Sequence, residues 1–530
     1  MKAALPGLLL LAALLLIPFL LRPAQSDAEA GDRALVVLTS HNDAIRYEMT
    51  RGFQRYRAER GLPPVRIDWR SPGGTTEISR FLASEYRTAF ELHWLRHTGE
   101  RLSEAGARAF ANPKQSVEGT DEPARARREF LSSNVGIKID VLFGGGSYDF
   151  SQHAAAGRLV DSGLLRSKPE LFGPGGIPQN LGGEPYWDPE GRWVGACASG
   201  FGICYNREAL ARLGITKLPT AWSDLADPRL AGHVALADPS KSGSANKAFE
   251  MLMQQAMAEA VARRGAAPDS AEERAALSEG FDAGLRLIRR IAGNSRYFTD
   301  QAGKVVQDVQ SGSAAAGMCI DFYGRFQSDE DGSARRMSFS MPEGGSSIGS
   351  DPIALLRGAP EADLGRELIE FVLSPEGQAL WAYKRGVPGG PERYALRRLP
   401  ILPALYAPER RALRSDPDDN PYESAQRFTY HAAWTAPLFR ALSFVIRVMC
   451  VDTETELHEA AEALAEHGQP PAARALFDDM SLLSYAVVKT RVAPALASAD
   501  PLREVKLQNE LVTALKAQYE QVTALARSGR

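Results

Sequence analysis

Four short stretches hold residue types that could engage a ligand: Ser40-His41-Asn42, Ser71 to Thr76, Gly144 to Ser147, and the turn Ser240 to Ser244. They offer hydroxyls, an imidazole and glycines, groups that hydrogen-bond a ligand and let a backbone come close to it. The last stretch says most. In VALADPSKSGSANKAFEM (Val234 to Met251) an apolar run ends at Asp238-Pro239, small hydroxylated residues follow, and a helix begins. Strand, Ser/Gly turn and helix aim backbone N–H groups and a helix dipole at one spot, where an anion or polar ligand can sit. The competing reading is an ordinary helix N-cap.

Bond-breaking chemistry is poorly supplied. No G-x-S-x-G elbow surrounds the serines. His233 precedes the strand and so belongs at the end opposite the Ser turn. His93 and His97 have the i, i+4 spacing that puts two imidazoles on one helix face. They lack the H-E-x-x-H glutamate and a nearby third ligand, so a solvated helix face is expected and no metal site. The four cysteines have no C-x-x-C spacing. Neither phosphate-loop motif of nucleotide binding occurs, and no cofactor is expected.

The elements that must position these loops alternate. Ala34 to Thr39 reads as a buried strand and Ala44 to Arg57 as a helix; Val65 to Trp69 is a second strand, with another helix from Glu77. This βαβα pattern implies a mainly parallel sheet with helices on its faces, and ligands collect at the C-terminal ends of such strands. Ser40 to Asn42 and Ser71 to Thr76 both fall there. Residues from about Glu91 to Phe130 read as an inserted helical excursion, and Ile137 to Phe143 as a third strand. Trp193 to Tyr205 and Ala315 to Phe322 are extended runs rich in small residues. Beyond Pro391 the alternation stops and the chain reads as helical, with an apolar helix at Ala432 to Met449 and a charged one at Pro501 to Arg527.

Length allows two or three domains in 530 residues, and a formal net charge of −3 gives no footprint for nucleic acid. Lys2, the apolar stretch Leu8 to Leu21 and the small residues around Ala28-Glu29-Ala30 read as a secretory signal over residues 1–30. An uncleaved anchor is the alternative; Pro6, Gly7 and Pro18 weaken a spanning helix.

Several stretches resemble the extracellular solute-binding proteins of bacterial ABC importers, in the branch that takes ferric iron, phosphonates and phosphorylated sugars. They are LVVLTSHN (35–42), DVLFGGGSYDF (140–150), AWSDLADPRLAGHVALADPSKSGSANKAF (221–249), GMCIDFYGR (317–325) and FVLSPEGQALW (371–381). The 221–249 block is the most specific. The resemblance implies an α/β fold of two lobes that close on a ligand by a hinge, with a helical C-terminal extension. Lobe one would take residues 31–198 and 324–390, lobe two 199–323 and the extension 391–530. Crossings would lie near Trp193 to Tyr205 and Met318 to Tyr323. Cys204 and Cys319 would then be neighbours, able to pair in an exported protein, with Cys197 as a rival partner.

The resemblance also implies a cleft. Lobe one would offer Ser40, His41, Thr75, Thr76, Gly145, Gly146 and Ser147, and lobe two Ser240, Ser242, Gly243 and Ser244, with Asp321 and Tyr323 at the return crossing. Helix N-termini, hydroxyls and a cationic His41 suit an anion. Iron in this family typically meets paired tyrosines, and here Phe322 precedes a single Tyr323. The expected function is therefore a periplasmic, non-enzymatic, monomeric binding protein. It would capture a phosphorylated or phosphonate-like solute for an inner-membrane permease. Ferric iron transport and a membrane-anchored ligand sensor are the alternatives.

Overall fold

Two β-sheets, joined by a crossing at Gly200, carry the two halves of the molecule in a computed structural model that describes residues 33–330, 336–498 and 500–529. The expected signal at 1–30 lies outside the described residues.

The chain first lays down β1 (Ala34–Thr39), β2 (Arg66–Arg70), β3 (Val141–Phe143), β4 (Leu159–Val160) and β5 (Val194–Ser199). β1 pairs in parallel with β2 and with β3. Its Leu35, Val37 and Leu38 are fully buried, as a strand covered by helices on both faces requires. The chain then crosses into β6 (Phe201–Asn206), β7 (Val234–Ala237), β8 (Ser295–Thr299), β9 (Ala316–Ile320) and β10 (Met337–Ser340). These form a five-stranded sheet in the order β8-β7-β9-β6-β10. It returns to add β11 (Gly349–Leu356) and β12 (Leu399–Pro400) to the first sheet, whose order is β12-β5-β11-β3-β1-β2 with β4 beside β11.

The return crossing lies later than the sequence suggests. Ala316 to Ile320 stays in the second sheet, antiparallel to β6, and β10 extends that sheet by pairing Met337 with Asn206 and Ser340 with Ile203. Residues 341–348 therefore make the return, and the second lobe's sheet runs on to Ser340 instead of ending near 323. Trp222 in the second lobe fixes this segment by donating its indole N–H to the Gly345 carbonyl at 2.7 Å. All four cysteines are buried and unlinked; Cys204 Sγ sits 3.5 Å from the Gly317 carbonyl oxygen.

The helices that matter for the site start at the ends of these strands. They are α1 (Asp43–Glu59), α2 (Thr75–Thr98), α3 (Glu122–Ser132), α4 (Ser147–Ala156), α5 (Gly243–Arg264) and α6 (Asp321–Glu330). Asn42 caps α1 by accepting from Ile45 N at 3.1 Å, and Ser242 caps α5 by accepting from Ala245 N at 3.2 Å. α2 and α4 follow glycines, Gly74 and Gly146, and have no side-chain cap. Their first N–H groups are left for something else.

The C-terminal region is helical and divides its attention. Leu396, Leu399, Ile401, Leu402 and Leu405 join the first lobe's core. From Phe428 onward the chain packs mainly on the second lobe, where Leu442, Val445, Met449, Leu515 and Tyr519 share one core with Met251, Leu285 and Ile288, and Phe439 also touches Tyr148 of the first lobe. The apolar run Ala432–Val451 is long enough to cross a membrane by length and composition, yet here it is mostly buried in that core.

Candidate functional site

Three helix starts meet between the lobes. A methyl group built on Gly243, the first residue of α5, would lie 2.2 Å from Thr75 Oγ1 at the start of α2 and 3.7 Å from a carboxylate oxygen of Asp149 in α4. One built on Gly145 would sit 3.4 Å from Thr75 Cγ2. Thr75 thus stands between Gly145 of its own lobe and Gly243 of the other, and the lobes are closed at this seam. Thr75 Oγ1 is shielded from solvent with no hydrogen-bond partner among the described residues. Buried hydroxyls are normally satisfied, so this one is available to a ligand. The dipoles of α2, α4 and α5 make the seam a favourable place for negative charge.

Asp149 qualifies that picture. Burial alone pushes its carboxyl up to about 7. A carboxyl with that pKa is partly protonated near neutral pH, and the protonated form can donate a hydrogen bond where the carboxylate would repel an anion.

The turn after β7 splits its serines. Ser240 folds back on Asp238, whose Oδ1 accepts from both its N–H and its hydroxyl at 2.8 and 2.7 Å. Ser242 caps α5 and lies 3.1 Å from the Ser244 hydroxyl. The N-cap reading holds for Ser242, while Gly243 meets the opposite lobe at Thr75. Ser40 and Thr76 are half-buried at the ends of β1 and in the first turn of α2.

His41 has a different job from the one its type suggests. Its ring lies against Gly144, and its Nε2 is 3.3 Å from Asp351 Oδ2 and 3.2 Å from an Arg398 nitrogen. Arg398 also reaches Asp351 Oδ2 at 2.6 Å and donates to Ser199 Oγ at 2.6 Å. Asp351 Oδ1 accepts from Gly145 N at 2.8 Å. Burial, opposed by Asp351 and reinforced by Arg398, lowers the His41 pKa, so the ring is neutral at physiological pH. That direction runs against the cationic His41 expected from sequence, and Arg398 beside it is a permanent cation. Burial opposes ionisation of Asp351, but Arg398 and His41 overcome it and hold the carboxyl well below its usual range. This cluster braces the glycine loop that leads to α4.

Asp321 and Tyr323 open α6. Asp321 N–H donates to Gly200 O at 2.9 Å, which ties α6 to the outward crossing. Burial raises the Asp321 pKa despite Arg325 and Arg398 nearby. Tyr323 packs on Phe322, with ring centroids 4.2 Å apart, and Arg398 lies 4.2 Å over the Phe322 ring. The Phe322 ring thus faces a cation. Beyond Asp321, at 4.0 Å, Arg325 begins a cavity of about 930 Å3. Arg207, Lys384, Arg385, Arg393 and Arg397 also line it, and Asp416 supplies its acidic lining.

Asp149, Asp351 and Arg398 were not among the sequence-derived site residues. Asp149 was visible in the DVLFGGGSYDF stretch; Asp351 and Arg398 carry no local signal. The pair His93 and His97 also changes: Glu129 of α3 comes to 2.8 Å from His93, which supplies the third group that the sequence spacing lacked.

Comparison with known proteins bears on the whole arrangement. The profile of the bacterial extracellular solute-binding protein family matches residues 137–403, half of the chain. The phosphoglycerate transport regulatory protein PgtC of Salmonella typhimurium is 27% identical over 190 residues, 36% of this chain and 40% of that protein. An uncharacterized protein of Haemophilus influenzae is 28% identical over 187 residues, 35% of this chain and 46% of its own. The chain thus spans less than half the length of the curated relatives it matches. Among solved structures, the substrate-binding protein of an ABC transporter from Agrobacterium tumefaciens is 13% identical with a TM-score of 0.49, covering 80% of this chain and 96% of its own. The periplasmic binding protein AfuA from Actinobacillus pleuropneumoniae, with exogenous fructose-6-phosphate bound, is 17% identical with a TM-score of 0.44, covering 66% and 82%. Iron-bound HitA from Pseudomonas aeruginosa is 15% identical with a TM-score of 0.46, covering 78% and 99%. Likeness at this level carries no residue-by-residue correspondence.

Proposed function

The chain belongs to the family of bacterial extracellular solute-binding proteins, and from that premise we propose that its solute is a small anion, phosphorylated or phosphonate-like. As a member of that family it is a substrate-binding component of an ABC transporter and not an enzyme. The observation that carries the anionic reading is the meeting of Thr75, Asp149 and Gly243, in the first turns of α2, α4 and α5. Helix starts from opposite lobes face one another, and the Thr75 hydroxyl there has no partner among the described residues. The anionic group would take the N–H groups of Thr75, Ser147 and Gly243 and the Thr75 hydroxyl. Thr76, Gly146 and Ser244 would complete its surroundings, with Ser40, His41, Gly145, Asp321 and Tyr323 framing the cleft and Ser240 and Ser242 shaping its turn. The printed name of the Salmonella relative, a phosphoglycerate transport protein, is consistent with such a solute. Capture would shift the population toward the closed form, since only there do both lobes touch the ligand. An inner-membrane permease would then receive the solute from a protein exported to the periplasm.

The test is a thermal-shift and calorimetric screen of phosphoglycerates, sugar phosphates, phosphonates and ferric citrate. Phosphorylated solutes should raise Tm, and Thr75→Val should remove the effect. Loss on Arg393→Ala but not on Thr75→Val would move the solute to the basic cavity instead. Binding of ferric iron alone would favour the iron-transport reading. The word "regulatory" in the same relative's name favours one further alternative, a ligand sensor that reports to a membrane partner. N-terminal sequencing of the exported protein separates a cleaved form from an anchored one.

A further inference from the structure

We propose that His93, His97 and Glu129 form a binding site for a divalent transition-metal ion, with zinc the best fit, on the outer face of the first lobe. The two histidines lie one turn apart on α2, their ring centroids 4.0 Å apart with the ring planes tilted by 31°. His97 uses Nδ1 toward the His93 carbonyl at 3.1 Å, which leaves its Nε2 to ligate. Glu129 reaches across from α3, its Oε1 2.8 Å from His93 Nε2, and the three donor atoms all lie within 4.8 Å of one another. Two donors of one tetrahedral zinc stand about 3.3 Å apart, so the set is slightly wider than a bound ion requires, and its His97 is exposed.

The supporting shell is already rigid. His93 stacks on Phe90 at 6.0 Å, and Phe90 is buried against Phe110 and Phe130, the last of these on α3 beside Glu129. Two imidazoles and one carboxylate suit zinc, nickel or copper better than calcium or magnesium, which prefer all-oxygen sets. A fourth position open to solvent would take water. Bound metal would pin α3, and with it the inserted excursion, to α2. The site is remote from the lobe seam: eighteen residues of α2 separate His93 from Thr75, about 27 Å along the helix.

The experiment uses the full exported chain without an affinity tag, stripped with chelator and titrated with zinc chloride by calorimetry, with cobalt(II) chloride as an optical probe. One equivalent should bind at micromolar zinc, raise Tm by a few degrees, and give cobalt the visible absorption of a tetrahedral site. His97→Ala and Glu129→Gln, both on the surface, should each weaken zinc binding by more than about tenfold while leaving the metal-free Tm unchanged. Zinc binding that is absent, or is equally tight in His97→Ala, overturns the proposal. Phosphorylated-solute binding serves as the independent check, since neither variant should alter it.

Discussion

Arg398 and His41 share a single carboxylate. Asp351 Oδ2 lies 2.6 Å from the Arg398 guanidinium and 3.3 Å from His41 Nε2, and all three side chains are buried. A charge in such a place needs its partner more than the pair needs to exist. Arg398→Met strands the Asp351 carboxylate against a neutral imidazole and should cost about 3–5 kcal/mol, read by urea unfolding. Arg398→Lys keeps the charge, loses the fork that also holds Ser199, and should fall between. A loss under about 1 kcal/mol in the Met variant would mean the pair behaves as an exposed one.

The seam at Gly243 is as tight as a backbone can make it. Its methyl in Gly243→Ala would meet Thr75 Oγ1 at 2.2 Å, inside any allowed contact, while the helix itself would gain from alanine. The variant should fold normally, open the lobes in small-angle scattering, and lose solute affinity by tenfold or more. Adding Thr75→Ala should restore the compact scattering profile but not the affinity, because the hydroxyl is gone. Unchanged scattering in the single variant would show that the closed seam is not populated in solution.

What the sequence made legible follows from how local each signal is. The run Ala34 to Thr39 and the turn from Val234 into α5 are contiguous, and each is read from its own residues. The return crossing was misread because β10 is four residues, Met337–Ser340, of mixed polarity, and nothing in it announces an edge strand. Arg398 was assigned to a helical tail, since what brings it to His41 is the two-residue β12 pairing with β5 across two hundred residues. Glu129 reached His93 in the same nonlocal way. The charge of His41 depends on burial and on Arg398, and spacing encodes neither.

Asp149 gives solute binding a pH dependence of defined sign. Burial raises its carboxyl to about 7, so the folded protein holds a proton that the unfolded chain has already released between the usual carboxylate range and pH 7. Stability from this group therefore falls as pH rises through that window. Affinity for an anion should fall as well, by up to about tenfold per pH unit above 7, as the bare carboxylate comes to face the ligand. Asp149→Asn should flatten both profiles. Calorimetry across pH 5.5 to 8.5 reads the effect, and an unchanged slope in the Asn variant would remove Asp149 from the site.

Phe439 joins the C-terminal region to both lobes at once. Its ring sits 4.7 Å from that of Tyr148 in α4, and its carbonyl accepts from Asn246 Nδ2 of α5 at 2.9 Å. Tyr148 is the neighbour of Asp149 and Ser147, and Asn246 lies one turn into the helix that starts at Gly243. Opening the seam must therefore pull either α4 or α5 away from Phe439. An aromatic pair of this kind is worth about 0.5–1.5 kcal/mol beyond its buried area. Phe439→Ala removes the ring and leaves the carbonyl bond to Asn246, so it should release only the Tyr148 side. The closed form then loses that contact while the open form loses nothing, and solute should leave about two- to tenfold faster by stopped-flow fluorescence. Phe439→Tyr keeps the ring contact and should keep the slow rate. Equal release rates in the wild type and the Ala variant would show that the C-terminal region rides on the second lobe without restraining the first.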